Sequence, residues 1–136
     1  MMRHNPFLQM EEERIRVSVR PLYLADHSNP DQGEYVFAYF VRIENASRKT
    51  AQLLSRHWRI FDSIGEESEV RGDGVVGEQP TLAPGEVFEY QSFCVLKSPQ
   101  GAMDGSYRFI GVDDVLFDVP IPRFELTVTG SPWPAA

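Results

Sequence analysis

Apolar and polar residues alternate with period two along most of the chain. Ile15, Val17 and Val19 interleave with Arg16, Ser18 and Arg20, the pattern of a half-buried strand. Pro21 cannot donate to a ladder, which predicts an edge position or a bend for this strand. Tyr35, Phe37, Tyr39, Val41 and Ile43 form a second apolar face. Between the two strands, Asn29-Pro30-Asp31-Gln32-Gly33 supplies the fixed φ and the positive φ of a reversal. Leu54, Trp58 and Ile60 predict a third strand. Ser63-Ile64-Gly65 turns it into a short fourth around Glu69 and Val70, with Gly65 in the left-handed position of a three-residue hairpin loop.

Beyond a glycine-rich block, Leu82-Ala83-Pro84-Gly85-Glu86 carries the Pro-Gly pair of a type II turn. A fifth strand runs over residues 87–97. Its apolar residues change face, from Phe88 and Tyr90 to Phe93 and Val95, which predicts a bulge or a strand covered on both sides. Pro99-Gln100-Gly101 and Asp104-Gly105 read as loop. Tyr107 and Phe109 begin a sixth strand, residues 115–119 form a seventh, and Phe124, Leu126 and Val128 an eighth. No window of ordinary helix length has a helical period. Short strands with regular turn signals predict an all-β antiparallel sandwich. The sandwich is expected over residues 13–129, with tails at 1–12 and 130–136.

Composition changes this picture little. The chain has 136 residues, enough for one self-sufficient core. Thirteen basic residues against twenty acidic ones leave a net charge of -7, which argues against a nucleic-acid binder. No apolar run is long enough to span a bilayer, so no membrane is expected. The start of the chain lacks the pattern of a signal peptide. The lone Cys94 cannot form an internal disulfide. Both point to the cytoplasm.

Candidate chemistry begins with Gly72, Gly74 and Gly77, which spell G-x-G-x-x-G. That fingerprint works where the glycine turn opens a helix whose free amides meet a pyrophosphate. Here Pro80, Pro84 and Gly85 leave no room for the helix. Two readings remain: a loop crossing between sheets, or an anion nest of backbone amides with Arg71 supplying charge. Alternation puts Arg56 on the apolar face with Trp58, where a guanidinium needs a carboxylate or several carbonyls. Arg56 is either a tether that fixes a loop by an ion pair or part of an anion site shared with Arg71. His4, His27 and His57 lack metal-ligand spacing. Asp113, Asp114 and Asp118 form an acidic surface suited at most to a hard cation. Cys94, between Phe93 and Val95, reads as a packed core thiol. No nucleophile, base and orienter combine, so neither a catalytic site nor a cofactor is expected.

The second strand is also apolar on its other face, through Val36, Ala38 and Phe40. Only one face of a strand in a two-layer sandwich meets the core. The other must be covered by a loop, a tail or another subunit. Val36 and Phe40 are therefore candidate interface residues, and Trp133, flanked by prolines, is a candidate cover or docking element.

Several ordered motifs resemble the ApaG family: Arg56-His57-Trp58-Arg59-Ile60, Gly72-Asp73-Gly74-Val75-Val76-Gly77-Glu78-Gln79-Pro80, Leu82-Ala83-Pro84-Gly85-Glu86, Met103-Asp104-Gly105-Ser106-Tyr107, and Ile121-Pro122-Arg123-Phe124-Glu125-Leu126. The resemblance spans about residues 12 to 128. It implies an immunoglobulin-like or fibronectin type III-like sandwich in a bacterial, cytosolic protein. It implies no established enzymatic activity. The family name reflects genetic neighbourhood with a diadenosine tetraphosphate hydrolase, and the family has been associated with cobalt and magnesium tolerance. Similar domains in F-box proteins and in a polymerase-interacting protein look like protein-recognition modules. The expected function is a non-catalytic module for protein binding or self-association. The alternatives are pyrophosphate or dinucleoside polyphosphate binding at the glycine loop, and divalent-cation binding.

Overall fold

The computed structural model describes residues 14–128. The alternating pattern folds into eight strands: β1 (Ile15–Tyr23), β2 (Tyr35–Asn45), β3 (Ala51–Asp62), β4 (Glu67–Asp73), β5 (Thr81–Leu82), β6 (Val87–Leu96), β7 (Gln100–Gly111) and β8 (Leu116–Thr127). All pairings are antiparallel. One sheet has the order β1-β2-β6. The other has the order β4-β3-β7-β8, with β5 also paired to β3. The two sheets bury Phe37, Val41, Ile43, Leu53, Trp58, Leu96, Met103, Tyr107, Phe109 and Leu126 between them. Trp58 sits at the centre of an aromatic cluster, 5.2 Å from the Tyr39 ring and edge-on to Tyr107 and Phe124.

The turns follow their residues. Gly65 has φ +98 and closes the β3–β4 hairpin, with the Asp62 amide donating to the Glu66 carbonyl. Gly85 has φ +87, and the Glu86 amide donates to the Ala83 carbonyl across the Pro-Gly turn. Pro21 lies in β1, at an edge of its sheet. Two short 3-10 turns, Ala25–His27 and Pro30–Gln32, carry the chain from β1 to β2, and Gly33 (φ +67) ends the reversal.

Four expectations are corrected. Gly101 and Gly105 lie within β7, not in a loop. A Cβ at Gly101 would sit 2.3 Å from the Phe61 carbonyl oxygen, and one at Gly105 2.0 Å from that of His57. Here glycine permits close backbone approach rather than a turn. The seventh and eighth expected strands are one strand, β8, which carries Pro120 and Pro122 because it is an edge strand. β6 has no bulge: its even residues face the core from Phe88 to Leu96, and Phe93 and Val95 face outward. The β7–β8 register shifts between Met103 and Gly105, and a bulge lies in β3 between Leu53 and Ser55. It makes Leu53, not Leu54, the buried residue.

The ends of the sandwich are fastened by polar side chains. Asn45, fully buried, donates through Nδ2 to the Lys49 and Leu82 carbonyls, both at 2.8 Å. Its Oδ1 accepts from the Ser47 amide and hydroxyl. At the opposite end Asp62 accepts from the Ser98 hydroxyl and the Lys97 amide. The described chain enters at the Asn45 end, where the Ala46 amide donates to the Arg14 carbonyl. It leaves at the other, where the Val128 amide donates to the Pro99 carbonyl.

Candidate functional site

The glycine block does not cross between sheets. β4 and β5 both pair with β3, at Ser55–Phe61 and at Ala51–Gln52. Residues 74–80 are therefore an excursion from one lateral track beside β3. The crossing is made by the Pro84-Gly85 turn that follows. The tip is a tight turn in which Val75 and Glu78 exchange amide bonds at 2.8 and 2.9 Å. Val76 and Gly77 between them have φ +43 and +82, both positive as a type I′ turn requires. Val75 is fully buried and plugs the loop into the core, while Val76 is 55% exposed.

This geometry uses half of the loop's amides internally. The Gly74 amide donates to the Leu54 carbonyl, and the Val75 and Glu78 amides each donate to the other residue's carbonyl. Among the described residues, the Val76 and Gly77 amides make no backbone bond. Gly74 is required twice: it has φ +63, and an added Cβ would lie 2.3 Å from the Glu78 carbonyl oxygen.

Arg56 sits opposite Gly72 in the ladder, and its guanidinium lies where a Gly72 Cβ would be, 2.9 Å away. It donates to the Asp73 and Gly74 carbonyls, both at 3.0 Å. It thus tethers the loop through two carbonyls rather than through the expected ion pair. Arg71 pairs in register with His57, one position along, so its side chain leaves the opposite face of the sheet. There it meets Glu69 at 3.3 Å, and His57 Nε2 lies 2.6 Å from the same carboxylate oxygen. The hydrogen bond from His57, with the Arg71 charge, holds Glu69 below the usual carboxylate range. Arg59 grips Asp104, and Arg108 grips Asp118, each by two bonds. This outer face is a lattice of paired charges around a groove of about 430 Å³. Among the described residues, no three His, Cys, Asp or Glu side chains converge as metal ligands.

The outer face of the three-stranded sheet differs. In register across it lie Val36 and Val95, then Leu22, Ala38 and Phe93, then Arg20, Phe40 and Gln91. Phe93 is 56% and Val95 60% exposed, while Val36, Phe40 and Leu22 are half-buried. No described strand lies over this face, and Ala38 at its centre is buried, at 2% exposure. Beside Phe40 a groove of about 680 Å³ runs between Arg20, Arg42, Glu89 and Gln91. Val36 and Phe40 thus belong to one surface, and Trp133 lies outside the described residues. Phe93 and Val95 were missed as surface residues. Their signal was the change of face along β6, which reflects apolar side chains on both faces of a straight strand.

One polar feature lies inside. Tyr90 and Tyr107 share a short hydroxyl hydrogen bond between the sheets. Burial pushes Tyr90 up to about 12 and Tyr107 higher, against the pull of the nearby Arg56 charge. Burial likewise raises Cys94 to about 12, as befits a packed thiol.

These features define an all-β sandwich whose polar loop is locked in place and whose smaller sheet leaves an apolar face open. The family model for the ApaG domain (DUF525) matches residues 25–111, and the chain belongs to the ApaG family. Protein ApaG of Anaeromyxobacter dehalogenans strain 2CP-C is 52% identical over 119 residues, covering 88% of this chain and 94% of that protein. Protein ApaG of Bordetella pertussis is 51% identical over 114 residues, covering 84% and 87%. A crystal structure described as the putative ApaA protein from Bordetella pertussis superposes with a TM-score of 0.82 at 51% identity, over 84% of this chain and 93% of that one. An X-ray structure of the structural-genomics target SoR45 gives a TM-score of 0.78 at 38% identity, over 83% and 85%.

Proposed function

We propose that the protein is a non-catalytic protein-recognition module that engages its partner through the outer face of the three-stranded sheet. The observation that carries this reading is the exposure of Phe93 and Val95 beside half-buried Val36 and Phe40, on a face no described strand covers. Exposed apolar patches rimmed by polar groups are typical of interaction sites. Arg20, Arg42, Glu89 and Gln91 supply such a rim. The opposite face supports recognition less well, because its arginines are already engaged by carboxylates.

A photo-crosslinking residue at Val36, on the same face as Phe40, with mass spectrometry of the adduct, tests the reading. Capture at this position, lost from Phe40→Glu chains that keep their melting temperature, is expected. Capture that survives Phe40→Glu, or none at all, removes it. The pyrophosphate reading is separable by thermal shift. A ligand at about 100 times its dissociation constant adds roughly 2.7 kcal/mol. With three loop amides committed internally, millimolar pyrophosphate is expected to leave the melting temperature unchanged. A rise that disappears in Arg71→Ala would replace the present reading.

A further inference from the structure

A sheet edge is a template for another strand, and most edges here are blunted. β1 carries Arg16, Arg20 and Pro21. β8 carries Asp118, Pro120, Pro122, Arg123 and Glu125. β4 is short and charged, and it ends at the glycine excursion. β6 is different. Its ten residues, VFEYQSFCVL, contain no proline, no basic residue and one acid, Glu89. Among the described residues it pairs only with β2.

The direction of its backbone groups follows from one end of the ladder. The Asn45 amide donates to the Glu86 carbonyl, and the Asn45 carbonyl accepts from the Gly85 amide. Antiparallel pairs alternate from there. The even residues of β6 spend their amides and carbonyls on β2. The odd residues, Val87, Glu89, Gln91, Phe93 and Val95, direct theirs to the free edge. The bond from the Leu24 amide to the Val36 carbonyl agrees, because it assigns the even residues of β2 to β1.

We propose that this edge is a self-association site at which a second copy of the chain adds antiparallel, through residues 92–96 about a twofold axis at Cys94. The two three-stranded sheets become one sheet of six. The proposal rests on the reading of this sheet as the recognition surface. Symmetry about Cys94 places Phe93 opposite Val95 of the second copy, and Val95 opposite its Phe93. Aromatic and β-branched residues are favourable cross-strand partners. Because Ala38 flanks Phe93 and Val36 flanks Val95, one apolar band then runs across both copies.

Charge selects this register. Gln91 meets Lys97 of the second copy, and Glu89 falls outside the ladder. Centring the axis near Glu89 would set that carboxylate against itself, which is destabilising. Centring it on Ser92 would set Glu89 against Val95. A five-residue ladder buries less than the roughly 1,200 Å² of a stable complex, so the dimer is of the transient class.

Sedimentation velocity of the full chain from about 10 µM to about 1 mM tests this, with amide hydrogen exchange alongside. A concentration-dependent dimer is expected. The exchange of the Phe93 and Val95 amides slows with concentration, and that of Cys94 does not change. Val95→Lys, at a 60% exposed position, is expected to weaken the dimer at least about tenfold while keeping the melting temperature. A chain monomeric at 1 mM, a dimer indifferent to Val95→Lys, or one without the odd–even contrast in exchange overturns the proposal. The recognition face is tested separately by Phe40→Glu, so a monomer that still loses its partner in that variant fails only the twofold.

Discussion

Two glycines, one in the fingerprint and one in β7, show how differently the same residue is used. The space beside Gly72 is filled by the end of the Arg56 side chain, which can move. The space beside Gly105 is filled by the His57 carbonyl, which is fixed in a ladder. Gly72→Ala is therefore expected to cost about 1 kcal/mol, and Gly105→Ala on the order of 3 kcal/mol, in urea unfolding. Val76 presents the opposite case. It is β-branched, exposed, and held at φ +43, a region that side chains of its kind avoid. Val76→Asn suits the type I′ turn with Gly77 and is expected to gain about 1 kcal/mol. An unchanged or lowered midpoint would mean that Val76 makes contacts worth the strain.

Among elements, the excursion of residues 74–80 depends on one cation. Arg56→Met keeps the stem of the side chain and removes both bonds to the Asp73 and Gly74 carbonyls. A loss of about 1–2 kcal/mol is expected, with faster exchange at the Val75 and Glu78 amides before the rest of the sheet. The strands themselves were largely legible in the sequence, because burial of one face leaves a period of two. So were the turns at Gly65 and Gly85, where only glycine suits the backbone. What misled was punctuation inside strands. Gly101, Gly105, Pro120 and Pro122 look like loop residues until close packing in β7 and the edge position of β8 explain them. The Leu54 bulge was invisible because it belongs to the β3–β7 register rather than to the local alternation. Val36 and Phe40 were legible as a surface from the excess of apolar residues on β2. Their join to Phe93 and Val95 was not, because it depends on the β2–β6 register.

At the scale of the molecule, the interior couples stability to alkaline pH. Tyr90 and Cys94 are each raised to about 12, and Tyr107 further, by burial. A group raised in the folded state contributes fully below its unfolded value and loses that contribution as pH climbs to the folded one. The unfolded values are near 9 for the thiol and 10 for tyrosine. These groups are expected to leave the melting temperature level up to about pH 9 and to lower it steadily towards pH 12. Tyr90→Phe is expected to flatten that decline. A decline of the same steepness in the variant would assign it elsewhere.

The entry and exit of the described chain have a mechanical consequence. Arg14 and Val128 lie at opposite ends of the sandwich, separated by the eleven-residue length of β2, about 35 Å. Tension applied through the two ends runs parallel to the strands. It loads the whole β1–β2 ladder in shear, so its bonds must fail together rather than peel one at a time. A tandem array of this domain would behave as a stiff element under tension, yielding at a rate governed by its unfolding barrier.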